Sequence, residues 1–456
     1  MKNIILIFSL LIGFYANSQV LGYEDIAVLL SGENTQGTAR TMAMKGAFGA
    51  LGGDLSTLST NPAGAAIFTS SIAAITLGNN HTNLTTDFYG TLTQNSFDKF
   101  NVSQVGGLLL FENNNSSSKY RRIAVGINLN TLNNFHNEWA ASGLTTPTWI
   151  DNPTDNSIEY TQVASQKYLN VTGGNYTQLN FSFATQYGKN LFLGASFNTY
   201  DMAFNERGER LEIASDGAGN TIDAYEYFWQ EVNGNGFSFS AGIIFKATQN
   251  LRLGLSYSSP TWFELNEESN MFAEDEDDFV GYYDIIYSNE EASYTNSYNK
   301  VLAYNYRLRT PGKVTGSVAY IFGERGLISA DLTRKNFNEL QLNPNFEFDY
   351  ENDNLQALLT STYQVNLGTE WRFKKFSFRG GYSYEQTPYT ESLDTDNKRG
   401  YALGLGYNFG SVSLDIAYDY HEQTDYYNFY PEFNWIRGAE LSKNNDKIMA
   451  TLAYKF

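Results

Sequence analysis

Fourteen separate runs in which apolar and polar side chains alternate with a period of two leave this chain few ways to fold. They lie at 67–78, 101–111, 120–132, 176–188, 190–204, 234–247, 250–263, 313–322, 325–335, 361–373, 376–388, 399–409, 411–421 and 446–456. A period of two places successive side chains on opposite faces of a strand. In 376–384, Phe376, Phe378, Tyr382 and Tyr384 share one face with Gly380, and Ser377, Arg379, Gly381 and Ser383 share the other. Val412, Leu414, Ile416 and Tyr418 oppose Ser413, Asp415, Ala417 and Asp419 in the same way. One face suits lipid and the other a wet interior. The connections also alternate: those after even-numbered runs are short, such as Gly188-Lys189 and Gly323-Glu324, while 133–175, 205–233, 264–312, 336–360 and 422–445 are long. An even strand count with short turns on one side and long loops on the other describes a 14-stranded antiparallel transmembrane β-barrel of the outer-membrane kind, an all-β fold. A soluble β-sandwich has no reason to alternate loop length so regularly.

The amino terminus supplies the export route. Lys2, the apolar IILIFSLLIGFY and the small residues Ala16-Asn17-Ser18 read as a signal peptide over 1–18, with the mature chain starting at Gln19. Beyond it no run of about 20 apolar residues occurs, so the exported chain is either soluble or crosses a membrane as a closed barrel. Composition favours the barrel, with 33 Tyr, 32 Phe and 39 Gly against 8 Pro. The absence of Cys excludes a disulfide scaffold, thiol catalysis and a lipidated amino-terminal Cys. A net charge of -19 argues against nucleic acid as a partner.

Residues 38–68, TARTMAMKGAFGALGGDLSTLSTNPAGAAIF, are crowded with Gly and Ala and end in Asn61-Pro62-Ala63-Gly64 just before the first run. Such a segment cannot build its own core, and Pro62 forbids a regular helix across it. It is read as an insert over 19–66 that fills the lumen of a barrel spanning 67–456, whose interior at fourteen strands is too wide for wall side chains to fill. A Gly/Ala-rich amino-terminal segment closing with Asn-Pro-Ala-Gly resembles the hatch of the FadL/TodX family of outer-membrane transporters for long-chain fatty acids and other hydrophobic compounds. TPGKVTGSVAYIFGERGLISADL at 310–332 and YQVNLGTEWRFKKFSFRGGYSYEQTPY at 363–389 are similar to later hairpins of that family. The final strand, ending at Phe456, resembles the signal read by the barrel-assembly machinery. The region 133–312 shows no match beyond strand count, and its acidic run 274–278 and Tyr-rich stretch depart from the family.

The resemblance implies passive uptake: a hydrophobic molecule is held by extracellular loops, passes to a lumen site beside the hatch, and leaves sideways into the membrane past an inward-kinked strand. It implies a gating or structural role for Asn61, Pro62 and Ala63, with Gly64 closing the motif. Gly126 in the third run is the candidate kink, or else an inward small residue packing on the plug. For a carboxylate ligand the candidate head-group cations are Arg379, inward by alternation, and Arg307 and Arg309 near the rim. Arg379 could instead pair with Glu370, Asp415 or Asp419. Partners expected are hydrophobic small molecules, outer-membrane lipid and lipopolysaccharide, with a monomeric state. No cofactor, metal site or catalytic residue is expected: His81, His136 and His421 lack paired spacing, no Gly-x-Ser-x-Gly occurs, and GLGYNFG at 404–410 alternates as a strand instead of opening a helix. The alternative reading is a FadL-like barrel serving as a protein-interaction or secretion component, with its Tyr- and Asn-rich loops docking protein.

Overall fold

The computed structural model describes residues 21–32, 35–113, 115, 117–148, 152, 157–270, 282–287, 293–296, 301–430 and 436–456. The leader expected at 1–18 and the acidic run at 274–278 lie outside them. The wall strands are β1 (Ile72–Phe88), β2 (Thr91–Glu112), β3 (Tyr120–Asn134, resumed at Asn137–Gly143), β4 (Gln162–Tyr187), β5 (Leu191–Ser215), β6 (Thr221–Lys246) and β7 (Leu251–Ser258, resumed at Trp262–Ser269). They continue with β8 (Leu302–Arg309, resumed at Lys313–Ile321), β9 (Gly326–Asn336), β10 (Ser361–Phe373), β11 (Phe376–Glu385), β12 (Lys398–Asn408), β13 (Val412–Tyr427) and β14 (Ala439–Lys455). Each is antiparallel to the next, and β14 closes on β1 from Ile72↔Lys455 to Asp87↔Glu440, giving a closed barrel of fourteen strands.

Alternation decides which face meets lipid. Phe378 and Tyr382 of β11, Ile416 of β13 and Leu452 of β14 are exposed on the outside, while Arg379, Asp415, Asp419 and Thr451 between them are buried inside. A belt of outward apolar side chains runs around the whole circumference, and among the described residues no helix is long and apolar enough to cross a membrane. Short turns sit at one end, where Gly188 and Gly323 take φ of 63° and 61°, a region that costs a side chain but not Gly.

The strands run well past the expected bounds at the other end. Residues 79–100, with no alternation to mark them, form the outer halves of β1 and β2 joined by the two-residue turn Tyr89-Gly90. The segment 205–233 is likewise mostly strand, the outer halves of β5 and β6. Outward residues there are Asn79, Asn83, Asp201, Asn205 and Arg207, while the inward positions mix buried apolar Phe88, Phe228 and Val232 with buried Glu206 and Arg210, so the apolar-out, polar-in period of the lipid belt does not continue. The first strand begins at Ile72, not 67, because Pro62–Ile67 forms a tight 3₁₀ turn first.

Residues 21–32 and 35–68 fold inside this wall. They form α1 (Tyr23–Ser31), α2 (Ala39–Ala43) and α3 (Thr57–Thr60), linked by irregular backbone. Glu24 and Asp25 occupy the first turn of α1, where negative charge suits the helix dipole, and Ile26, Ala27 and Leu30 form its buried stripe. The Thr38 side chain caps α2 by accepting from Thr41 N at 3.2 Å. A fourth helix, α4 (Asp349–Leu358), lies in the long connection after β9 and packs against α1.

Candidate functional site

Asn61-Pro62-Ala63-Gly64 packs directly against β5 and β6 of the wall. Asn61 is fully buried; its Nδ2 donates to Gly49 O at 2.7 Å and to Ile243 O of β6 at 3.3 Å, and its Oδ1 accepts from Ala63 N at 3.2 Å. That last bond caps the Pro62–Ile67 turn, and Pro at its first position costs no hydrogen bond. Opposite lie Gly194 of β5 and Gly242 of β6, which pair directly with each other. A Cβ on Gly242 would collide with Asn61 Oδ1, and one on Gly194 with the backbone of Pro62 and Ala63. The motif and these two glycines form one close-packed contact. Gly64 is confined from within the segment, where a Cβ would come to 2.8 Å of Thr57 Cβ.

Gly126 is not the kink. It pairs in regular register with Leu108 and Ser182, and a Cβ there would reach Leu58 Cδ1 at 2.8 Å, so it is an inward small residue packed on α3. The register of β3 shifts at its start, Tyr120/Arg122, and again farther out, at Thr131/Asn133. Its ladder with β2 ends at Gln104↔Asn130, after which β3 resumes at Asn137–Gly143 paired with β4 alone. Beyond that point the two strands are held by side chains: Thr131 Oγ1 donates to Val102 O at 2.9 Å, and Ala140 N to Asn95 Oδ1 at 3.3 Å. Among the described residues this is a seam without backbone pairing, starting level with the lipid-facing Phe100 and Val102. Asn130, at its start, donates to Ser59 Oγ of α3 at 3.1 Å, which ties the seam to the inner segment.

A charged network fixes the inner segment to β9–β14. Glu370, 1% exposed, receives Arg40 Nε at 2.7 Å, Arg379 Nε at 2.6 Å and Arg372 Nη2 at 2.6 Å, and Arg379 reaches on to Asp415 at 2.7 Å. Lys45 meets Asp419 at 2.7 Å, and Gly49 N donates to Asp331 at 2.9 Å. Arg379 therefore points inward as expected but is spent on carboxylates. Arg307 and Arg309 are corrected outright: the buried neighbours Tyr306 and Leu308 take the inward positions of that strand, so by alternation both arginines face away from the lumen. Arg40 and Lys45, which carry the ties to the inner segment, gave no sequence signal beyond being cations within a small-residue run.

Above the network, toward the long loops, α1 fills an apolar chamber. Ile26 and Leu30 pack among Tyr200, Phe204, Phe263, Tyr306, Leu342 and Leu355, and Tyr23 stacks edge-on against Tyr306 and Phe348, each at 5.1 Å. The start of α1 is held by Glu206 of β5, buried in the outer half of that strand beyond the lipid belt. Its carboxylate accepts from Leu21 N at 2.8 Å, Asn170 Nδ2 at 2.6 Å and Tyr427 Oη at 2.9 Å. Burial raises the Glu206 carboxyl above the ordinary range against the pull of those donors. A carboxyl raised in the seated state holds a proton that the released state gives up, so seating of α1 is strongest at and below the ordinary carboxylate pKa, about 4.3, and weakens as pH climbs through the raised value. Protease or deuterium access to residues 21–32 should therefore increase with pH in that window, and Glu206→Gln should flatten the dependence. An unchanged pH profile in that variant would remove Glu206 as its source.

These features define an outer-membrane β-barrel of the Gram-negative type with an occupied lumen. No model of a known protein family matches the sequence, and no curated protein matches it. Solved structures do match. A FadL homologue of Pseudomonas aeruginosa shares 16% identity over 93% of this chain and 100% of its own, with a TM-score of 0.57. The P. putida toluene transporter TodX shares 14% over 93% and 99%, TM-score 0.57. The Ralstonia pickettii toluene transporter TbuX shares 14% over 93% and 99%, TM-score 0.51. The fold of this chain is that of the FadL/TodX transporters.

Proposed function

We propose that the protein is a passive transporter of hydrophobic small molecules across the outer membrane, in which residues 38–68 act as a hatch. The observation that carries this reading is the stacking of three parts along one interior: an aromatic chamber, a small-residue segment beneath it, and a seam between β2 and β3 tied to that segment through Asn130 and Ser59. The named transport roles of the structural relatives point the same way. Long-chain fatty acids or similar molecules would collect among the outer loops, displace α1 from the chamber, and leave sideways through the seam into lipid. An apolar solute gains about 0.8 kcal/mol per CH₂ on leaving water, so a lateral exit avoids driving it through the aqueous periplasmic mouth. In this reading the protein works as a monomer surrounded by lipid and lipopolysaccharide, and its closing strand is what the assembly machinery reads.

The test is uptake of a radiolabelled fatty acid and of toluene by cells expressing Asn61→Ala/Pro62→Ala at equal surface level. Removing the cap and the fixed φ should slow uptake of at least one of them about 10-fold while heat-modifiable mobility of the barrel is kept. Uptake of both at the unaltered rate would remove the gating role.

A further inference from the structure

We propose a second ligand site at the periplasmic mouth of the lumen, built from Lys246, Arg252 and Arg122, that binds the anionic head group of an amphiphile. Lys246 of β6 and Arg252 of β7 are directly opposite each other across the last pair of that hairpin, on the inward face. Like charges in that position repel, and sheets normally avoid them. Neither has a carboxylate within ion-pair distance among the described residues; Arg122, the third cation, has Glu112 at 3.1 Å. Three guanidinium and ammonium groups thus share one carboxylate, in a chain whose net charge is -19.

The three are aimed, not merely exposed. Arg252 Nη1 donates to Leu51 O at 2.6 Å and Arg122 Nη1 to Phe68 O at 3.2 Å, so both point at the underside of the inner segment, and Arg252 Nε is buried without a partner among the described residues. Lys246 Nζ stands 4.9 Å from the centre of the Phe192 ring. Phe192 belongs to an apolar cluster with Ile244, Ala66 and Phe68, against which Ile67 packs. A forked donor set beside an apolar shelf is what a carboxylate or phosphate carrying an alkyl chain requires. The short turns place this site at the end opposite α1, so it is separate from the outer chamber and does not depend on which molecule crosses. Because the same arginines hold the carbonyls of Leu51 and Phe68, an anion bound here would compete for the ties that fix the inner segment from below.

The experiment is calorimetric titration of the purified protein in a nonionic detergent with dodecyl phosphate, with dodecanol as the uncharged chain and inorganic phosphate as the free anion. Dodecyl phosphate should bind with Kd at least about 30-fold tighter to the unaltered protein than to Lys246→Gln/Arg252→Gln, since two charge-assisted contacts are lost, while dodecanol distinguishes the two little. Lys246→Glu supplies a carboxylate for Arg252 from within, so it should keep the barrel as stable as before or more so and still abolish binding. Equal dodecyl phosphate affinity in all three proteins, or no binding to the unaltered one, overturns the site. Competition by inorganic phosphate at equal concentration would assign it to free anions and overturn the amphiphile; failure to compete supports the head group. Since uptake is not the readout, the outcome is independent of the transport reading.

Discussion

Glu370→Leu is expected to cost about 3–5 kcal/mol, because it removes the one buried carboxylate that three guanidinium groups share and leaves Arg40 without a partner across to the wall. The loss should fall unevenly. Arg379 and Arg372 belong to strands held on both sides by full ladders, and Arg379 keeps Asp415, so the wall has alternatives. Arg40 belongs to the inner segment, and its remaining tie is to Gly53 O within the same segment at 3.2 Å. Release of the inner segment should therefore precede unfolding of the barrel. In planar bilayers the variant should conduct ions more often than the unaltered protein, and trypsin should cut after Arg40 while the barrel still runs as folded on an unheated gel. Arg40→Met removes the same tie from the other partner, so the double variant should cost less than the sum of the two singles. Additive losses, or a barrel that melts before trypsin reaches Arg40, would show that the network serves the wall and does not anchor the segment.

How much of this was legible in the sequence depends on what surrounds each face. In the lipid belt one face of every strand is apolar and the other wet, so Phe376 to Tyr384 or Val412 to Tyr418 declared both strand and direction. In the outer halves of β1, β5 and β6 the outward face is polar and the inward face mixes buried apolar and charged side chains, so Asn79 or Arg207 gave no sign that the strand continued. Asn61 to Gly64 stood out because small residues and Pro are costly unless something packs closely on them. The use of each charge was harder to see. Arg379 was inward by parity, but whether it met a ligand or Glu370 depended on cross-strand register, which alternation does not fix. Arg307 and Arg309 lay in the connection before Thr310-Pro311-Gly312, outside the alternating runs, so the sequence offered no parity for them. Lys246 and Arg252 flank a turn in the sequence, and only the pairing of β6 with β7 brings them face to face.

The second large effect concerns the contact between Asn61 and the wall, and Gly242→Ala tests it with a single methyl group. The backbone of β6 cannot yield, because Gly242 is laddered to Gly194 on one side and Ser256 on the other. Asn61 cannot yield cheaply either, since its amide is committed to Gly49 and Ile243. Overpacking of this kind costs about 1–3 kcal/mol, which displaces the seated segment by about 5- to 150-fold in its equilibrium. The wall itself should not suffer: Gly→Ala at an ordinary strand φ restricts the unfolded chain and stabilises by about 0.4–1 kcal/mol. The expected result is thus a barrel at least as heat-resistant as before, with residues 38–68 open to protease. Gly316→Ala is the control, since nothing among the described residues lies within 4 Å of the added carbon there, and it should give the same small gain in heat resistance while leaving residues 38–68 protected. Asn61→Gly placed on top of Gly242→Ala removes the colliding atom and should reseat the segment in part, although the lost cap holds it below the unaltered level. If Gly242→Ala keeps the segment protected, the close contact is slack and the inner segment is held by its charged ties alone.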